Sequence, residues 1–127
     1  MPVPEPDLPI LDEATLSEVR ESVEGDTAFV GELITAYLAD GTAHLTAIEA
    51  AVAAGDAAAL VRPAHTLKSS SATVGAMRLS ARARRLEEAG RSGSIDDEAT
   101  RTDAGGLSAD WQATSDALRA WASEAGR

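Results

Sequence analysis

The chain has 127 residues and no cysteine, and its 21 acidic and 11 basic side chains give it a net charge of −10. The length indicates one domain, and the cysteine count excludes disulfides and thiolate metal sites. The negative charge argues against nucleic acid or an anionic membrane as a partner. No apolar run approaches the roughly 18 residues of a membrane helix, and the start of the sequence lacks the features of a signal peptide, so we expect a cytoplasmic protein.

The beginning of the chain predicts a flexible lead-in followed by a helix. Four of the five prolines lie among the first ten residues, so we expect residues 1–11 to be flexible and residues 12–124 to form the domain. Asp12 is placed to cap a first helix from Glu13 to about Val23.

The second helix has the clearest apolar pattern in the chain. Asp26 is placed to cap it, and Gly55 to end it after about Ala54. Its apolar side chains recur at helical spacing, and the pattern continues through Gly41. They are Phe29, Val30, Leu33, Ile34, Tyr37, Leu38, Leu45, Ile48 and Val52.

The third helix is predicted to begin after Asp56 and to be kinked at Pro63. At about 100° per residue, its core stripe consists of Leu60, Ala64, Leu67 and Ser71. A second sector, rotated by roughly 120°, holds His65, Lys68, Ser69 and Ala72. His65 and Lys68 are therefore expected side by side on an accessible flank with small neighbours.

After Gly75, a fourth helix is predicted from Ala76 to about Ala89, with Gly90 as its C-cap. Its core positions are Ala76, Leu79, Ala83 and Leu86. Arg78, Arg82 and Arg85 form a separate stripe that we expect to be exposed.

The C-terminal part predicts a short helix over about residues 95–103, a break at Gly105-Gly106, and a last helix over about residues 107–124. The last helix places Leu107, Trp111, Thr114, Leu118, Trp121 and Ala122 at bundle spacing. No segment shows the alternation of a strand. The sequence therefore predicts an all-α fold, an antiparallel four-helix bundle with an additional N-terminal helix.

The charges are unevenly distributed. The segment from Arg62 to Arg91 has seven cationic side chains and two carboxylates, a local charge of +5, whereas the rest of the chain carries −15. This basic segment contains His65, one of two histidines, and Lys68, the only lysine. A solvated charged face is the alternative interpretation of the arginines alone.

An exposed imidazole is a good nucleophile toward a phosphoryl group near neutral pH, and a lysine three residues later supplies a cation on the same face. An ordinary surface histidine is the simpler interpretation for either histidine alone, and we assign His44 no role. Two histidines without motif spacing predict no metal site.

The segment AHTLKSSSATVGAMRLSARARRLEEAGRSG, at residues 64–93, resembles the signature of histidine-containing phosphotransfer (HPt) domains of two-component phosphorelays. The upstream segments DTAFVGELITAYLAD and AVAAGD are similar to the second helix of that family and to the start of its active helix. The resemblance covers roughly residues 12–93.

The resemblance implies that His65 accepts and donates a phosphoryl group, that Lys68 stabilises it, and that Gly75 allows close packing at the end of the active helix. It also implies that Glu87 and Arg91 lie near the site as supporting residues. Ser69 stands where the family most often has glycine. It is small enough to leave the approach open, and its hydroxyl could donate to phosphate.

The resemblance further implies a phosphorelay carrier that takes its phosphoryl group from a receiver-domain aspartate and passes it to another. Such a carrier is not an enzyme and has no cofactor, since Mg²⁺ belongs to the receiver partner. We expect a monomer that binds receiver domains of response regulators or hybrid kinases. Arg78, Arg82 and Arg85 would belong to the docking surface for an acidic receiver.

Other classes of protein remain as alternatives. A helical adaptor that is never phosphorylated is the main rival, and phosphotransfer from a receiver separates the two. An enzyme is disfavoured because no second catalytic group accompanies His65, and no ATP-binding motif is present. A phosphopantetheine carrier would need an Asp-Ser-Leu at a helix start, which the sequence lacks.

Overall fold

The computed structural model of the chain describes residues 8–125, which form six helices. They are α1 (Glu13–Ser22), α2 (Thr27–Ala54), α3 (Ala57–Thr73), α4 (Met77–Ser92), α5 (Glu98–Gly105) and α6 (Leu107–Ala125). The four long helices α2, α3, α4 and α6 pack around one core, α1 lies against α2, and α5 contacts α4. The predicted all-α bundle with an additional N-terminal helix is confirmed, and α5 is a further short helix.

Local capping chemistry sets the boundaries of the first three helices. Asp12, Asp26 and Asp56 each accept a hydrogen bond from a backbone N–H in the first turn of α1, α2 and α3. Gly55 ends α2 in the left-handed region, with φ of 67°. These boundaries agree with the sequence because both the caps and the glycine act on neighbouring residues.

The core stripes of α3 and α4 are buried as the helical periodicity predicts. In α3 the buried residues are Leu60, Ala64, Leu67 and Ser71. In and just before α4 they include Ala76, Leu79, Ala83 and Leu86. The Ser71 hydroxyl is hydrogen-bonded to the Tyr37 hydroxyl at 2.7 Å, so a polar atom in the stripe is satisfied inside the core. Burial of this stripe leaves the other sector of α3 directed outward.

Three details of α2 and α3 differ from or refine the predictions. Phe29, expected in the apolar stripe of α2, is 47% exposed. Gly41 is buried beneath the ring of Trp111, where any side chain would overlap the ring. Helix α3 continues through Pro63 as one helix.

The prediction that Gly90 ends the fourth helix is wrong. Gly90 lies inside α4, where a Cβ atom would come within 2.9 Å of Val61 and 3.0 Å of the Ala57 carbonyl oxygen. Its missing side chain lets α3 and α4 approach closely. The helix ends at Gly93, whose φ is 77°. A glycine that serves helix packing and one that ends a helix look the same in a single sequence.

Part of the expected flexible lead-in is packed against the bundle. The first seven residues lie outside the described residues. In the remainder, the Leu8 carbonyl accepts hydrogen bonds from the Arg78 side chain at 2.7 and 3.0 Å. The Pro9 carbonyl accepts one from the Arg78 backbone N–H. Residues 8–11 therefore belong to the folded unit, contrary to the predicted boundary.

The C-terminal helices are slightly shifted from their predicted positions. Helix α5 begins after Asp97 rather than near Ile95, and Gly106 separates it from α6. In α6 the buried apolar side chains are Leu107, Leu118 and Trp121, while Trp111 and Ala122 are partly buried. Among the described residues, none of the helices combines the length and apolar character needed to cross a membrane.

Gly75→Ala is expected to destabilise the fold by about 2–3 kcal/mol. Gly75 has φ of 83°, and a Cβ atom there would lie 2.5 Å from the Asp12 carbonyl oxygen, so strain and overlap add. Gly55→Ala is the matched control, because φ is 67° but the space beside it is open. Urea unfolding should show a loss of about 1 kcal/mol for this control. Equal losses in the two variants would contradict the close packing at Gly75.

Candidate functional site

His65 and Lys68 project from α3 toward α4, one helical turn apart. The His65 side chain is 54% exposed and that of Lys68 is 29% exposed, whereas Glu87 on α4 is 5% exposed. The exposure of His65 follows from its position outside the core stripe of α3. The pair predicted from the helical wheel is therefore on the surface, above a buried carboxylate.

Glu87 joins the two predicted residues. Its Oε2 atom is 2.8 Å from Nδ1 of His65, and its Oε1 atom accepts a hydrogen bond of 2.6 Å from Nζ of Lys68. Arg91, one turn along α4, donates to Oε2 from Nη2 at 2.7 Å and from Nε at 3.2 Å. Both oxygens of this buried carboxylate thus accept hydrogen bonds.

The hydrogen bond from Lys68, with those from Arg91 and His65, lowers the pKa of Glu87 to about 2, although burial of the carboxylate acts in the opposite direction. Glu87 is therefore ionised at neutral pH and can only accept hydrogen bonds. Nδ1 of His65 must carry the proton in this contact. The neutral ring then presents the lone pair of Nε2 away from Glu87.

The other supporting residues occupy different places. Ser69 is exposed one turn after His65, and within residues 8–125 its hydroxyl makes no hydrogen bond. Gly75 lies beyond the end of α3, where its carbonyl accepts a 2.7 Å hydrogen bond from the Asp12 N–H. The structure therefore groups His65, Lys68, Glu87 and Arg91, with Ser69 beside them and Gly75 more than two turns away.

The arginine stripe of α4 is not on an open face, so the expectation of exposure is wrong. Arg82 is 14% exposed and donates from Nε to Oδ2 of Asp110 at 2.7 Å and from Nη1 to the Asp103 carbonyl at 3.0 Å. Arg85 forms a two-pronged contact with the Asp103 carboxylate. Arg78 holds residues 8–9, as described above. Through these bonds the three arginine side chains hold residues 8–9, α5 and α6 against α4. We propose no docking role for them.

The central position of Glu87 was not predicted from the residues themselves, and Glu87 was expected near the site only through the family resemblance. Glu87 adjoins the core residue Leu86, and it is one of two anions in the basic segment. A carboxylate next to a core residue and among cationic side chains was the one feature of the sequence that indicated a central position for Glu87. Among residues 8–125, no group of three or more His, Asp or Glu side chains is placed to share a metal ion.

Stability should depend on pH through Glu87. Because its pKa is lowered from 4.5 to about 2 in the folded state, its contribution is present above about pH 4.5 and is lost as pH falls toward 2. Unfolding by urea at pH 7, 4.5, 3.5 and 2.5 measures this loss. In Glu87→Gln the same acid range should show a shallower decline. Identical pH dependence in the two proteins would contradict an ionised, buried Glu87.

Comparison with known proteins gives matches in sequence and in fold. Residues 32–121 match the family model of the Hpt domain. The crystal structure of histidine-containing phosphotransfer protein B (HptB) from Pseudomonas aeruginosa PAO1 is similar, with a TM-score of 0.80 and 25% sequence identity. The match covers 91% of this chain and 96% of that chain. No curated protein sequence matches this chain.

The family match extends from α2 into α6 and includes both helices of the site. The resemblance inferred from residues 64–93 is thereby confirmed. Hpt domains are phosphocarriers that exchange phosphoryl groups with receiver domains in phosphorelays. The chain therefore belongs to the Hpt domain family and is a histidine phosphotransfer carrier of a phosphorelay.

Proposed function

We propose that Nε2 of His65 is the atom that accepts and donates the phosphoryl group. The observation that carries this proposal is the contact between His65 Nδ1 and the ionised, buried Glu87. It fixes the proton on Nδ1 and leaves a nucleophilic lone pair on the exposed side of the ring. His44, on α2, has no such partner among the described residues.

In the transfer step, Nε2 attacks the phosphorus of an aspartyl phosphate on a receiver domain. The N–P bond forms as the bond between phosphorus and the aspartate oxygen breaks, and the aspartate leaves as a carboxylate. The imidazole becomes positively charged while Nδ1 keeps its proton. The Glu87 carboxylate, at 2.8 Å, stabilises that charge. Reversal of the same step passes the phosphoryl group to a second aspartate.

Lys68 is the cation that we assign to the phosphoryl group. Its ammonium group lies against Glu87 at 2.6 Å, which holds it beside the imidazole, and its side chain remains partly exposed. An ammonium group has three donors, so it can keep Glu87 and still donate to a phosphoryl oxygen. Ser69 adds a hydroxyl one turn from His65 that has no hydrogen bond in the described part of the chain, and it leaves room for the receiver to approach.

The proposal also covers the metal ion, the partner proteins and the state of the carrier in the cell. We place the Mg²⁺ in the acidic site of the receiver and no cofactor on this chain, which does not phosphorylate itself from ATP. The partners are receiver domains of response regulators or hybrid kinases, rather than nucleic acid or membrane, consistent with a net charge of −10. We further propose that the carrier is a cytoplasmic monomer.

Transfer between labelled receiver domains and the chain tests this function. Receivers of one organism are phosphorylated on aspartate with ³²P, freed of donor, and mixed singly with the chain. At least one receiver should lose its label to the chain within minutes, and the new label should be acid-labile and stable to base. A second, unlabelled receiver should then remove it. Absence of transfer from every receiver would contradict the proposal and favour a passive adaptor.

A further inference from the structure

Arg62 is an exposed cation on the same outward sector of α3 as His65. It lies three residues before His65, and Lys68 lies three residues after it. At 100° per residue, these two cations flank the histidine at about 60° to either side. They differ in their partners. The Lys68 side chain is bonded to Glu87, whereas within residues 8–125 the Arg62 side chain makes no hydrogen bond or ion pair.

The packing of α4 indicates where the imidazole lies along α3. Gly90 is level with Ala57 and Val61, because a Cβ atom there would contact both residues. Glu87 is nearly one turn before Gly90 in α4, and α3 and α4 run in opposite directions. Glu87 is therefore level with the turn that contains Arg62. To reach it, the imidazole of His65 leans toward the N-terminus of α3, as helical side chains generally do.

The oxygens of a phosphoryl group on His65 would accept hydrogen bonds from cations, and Arg62 is placed to supply one. Lys68 and Arg91 share one carboxylate, so the unphosphorylated cluster has a net charge of about +1 with a neutral imidazole. A phosphoryl group places close to two negative charges on its oxygens at neutral pH, while the imidazole gains one positive charge, so the net charge of the cluster falls to about zero. Within residues 8–125, the Arg62 side chain has no carboxylate partner to give up before it binds these oxygens.

We propose that Arg62 binds the phosphoryl group on His65, so that its guanidinium becomes paired only in the phosphorylated state. As a role in the relay, this inference rests on the proposed function of His65. Arg62 approaches from the side of the ring opposite Lys68. A guanidinium can donate two parallel hydrogen bonds to phosphate oxygens, which an ammonium group cannot do.

The pKa of the phosphoryl group in the isolated chain tests this contact. Phosphoramidate phosphorylates accessible imidazoles without a protein partner, and a His44→Gln background leaves His65 as the only histidine. The ³¹P chemical shift is then followed against pH. Removing a cation about 4 Å away in water should raise the phosphoryl pKa by about 0.7 unit in Arg62→Ala. Arg62→Lys should restore most of that change, and high salt should reduce it.

Arg101→Ala is the matched control, because Arg101 is also exposed and, in residues 8–125, its side chain also lacks a partner. It lies on α5 and should leave the titration unchanged. Equal titrations for Arg62→Ala and Arg101→Ala would overturn the inference. A failure of the proposed function is distinguishable, since it would abolish transfer from receivers while chemical labelling and the Arg62 effect persisted.

Discussion

His65→Gln should abolish phosphotransfer to this chain, whereas His44→Gln should leave it unchanged. Glutamine preserves a polar side chain of similar size but has no nucleophilic nitrogen, so no phosphoramidate bond can form. His65 is exposed and outside the core, and its replacement should not unfold the bundle. His44 is half-buried on α2 and provides the control for removal of a histidine elsewhere.

The measurement is the initial rate of label transfer from a phosphorylated receiver, with both variants at equal concentration. Unfolding curves of the two variants confirm that each is folded under the assay conditions. We expect His65→Gln to show only the background of the assay and His44→Gln to match the unmodified chain. Acid-labile label on His65→Gln would place the phosphoryl group on another residue.

Removal of the Arg82 side chain is expected to cause a large loss of stability. Arg82→Ala is expected to lower the free energy of unfolding by about 3 kcal/mol, because it leaves Asp110 buried without its partner. The guanidinium of Arg82 also holds the Asp103 carbonyl, and Gly106 makes room for it, so the loss would loosen the junction of α5 and α6. Arg84→Ala should change stability by less than about 0.5 kcal/mol.

Arg84 is the matched control since it lies on the same helix, is 62% exposed, and approaches Glu88 only at 3.8 Å. Urea unfolding at neutral pH compares the two variants. If Arg82→Ala kept full stability but slowed transfer from a receiver in a salt-dependent way, Arg82 would act in docking rather than in fastening α6. Comparison of Arg82→Ala with Arg84→Ala therefore distinguishes a structural role of Arg82 from a role in docking.

The parts of the fold that depend on neighbouring residues could be predicted from the sequence. Asp26 and Asp56 cap their helices by accepting from N–H groups three residues away, and Gly55 supplies a left-handed residue. The stripe that includes Leu67 and Ser71 is buried because helical periodicity determines which residues share a face. The same periodicity predicted the exposure of His65.

Features that depend on contacts between distant segments could not be predicted. Arg82 pairs with Asp110, which lies 28 residues later in the chain. Nothing in the arginine stripe of the sequence indicates that partner. Gly90 is needed for close packing against Val61, which only the approach of two helices shows. Glu87 was included through the family resemblance, but its burial and its bond to His65 Nδ1 are properties of the assembled site.

We expect Nε2 of His65 to carry the phosphoryl group, and every transfer step proposed above depends on this atom. Nuclear magnetic resonance of the ¹⁵N-labelled chain, phosphorylated by a receiver, tests it directly through the ring nitrogen shifts and the ¹⁵N–³¹P coupling. We predict coupling to Nε2 of His65, with Nδ1 still protonated against Glu87. Coupling to Nδ1, coupling to His44, or phosphorylation without an N–P bond would contradict the account.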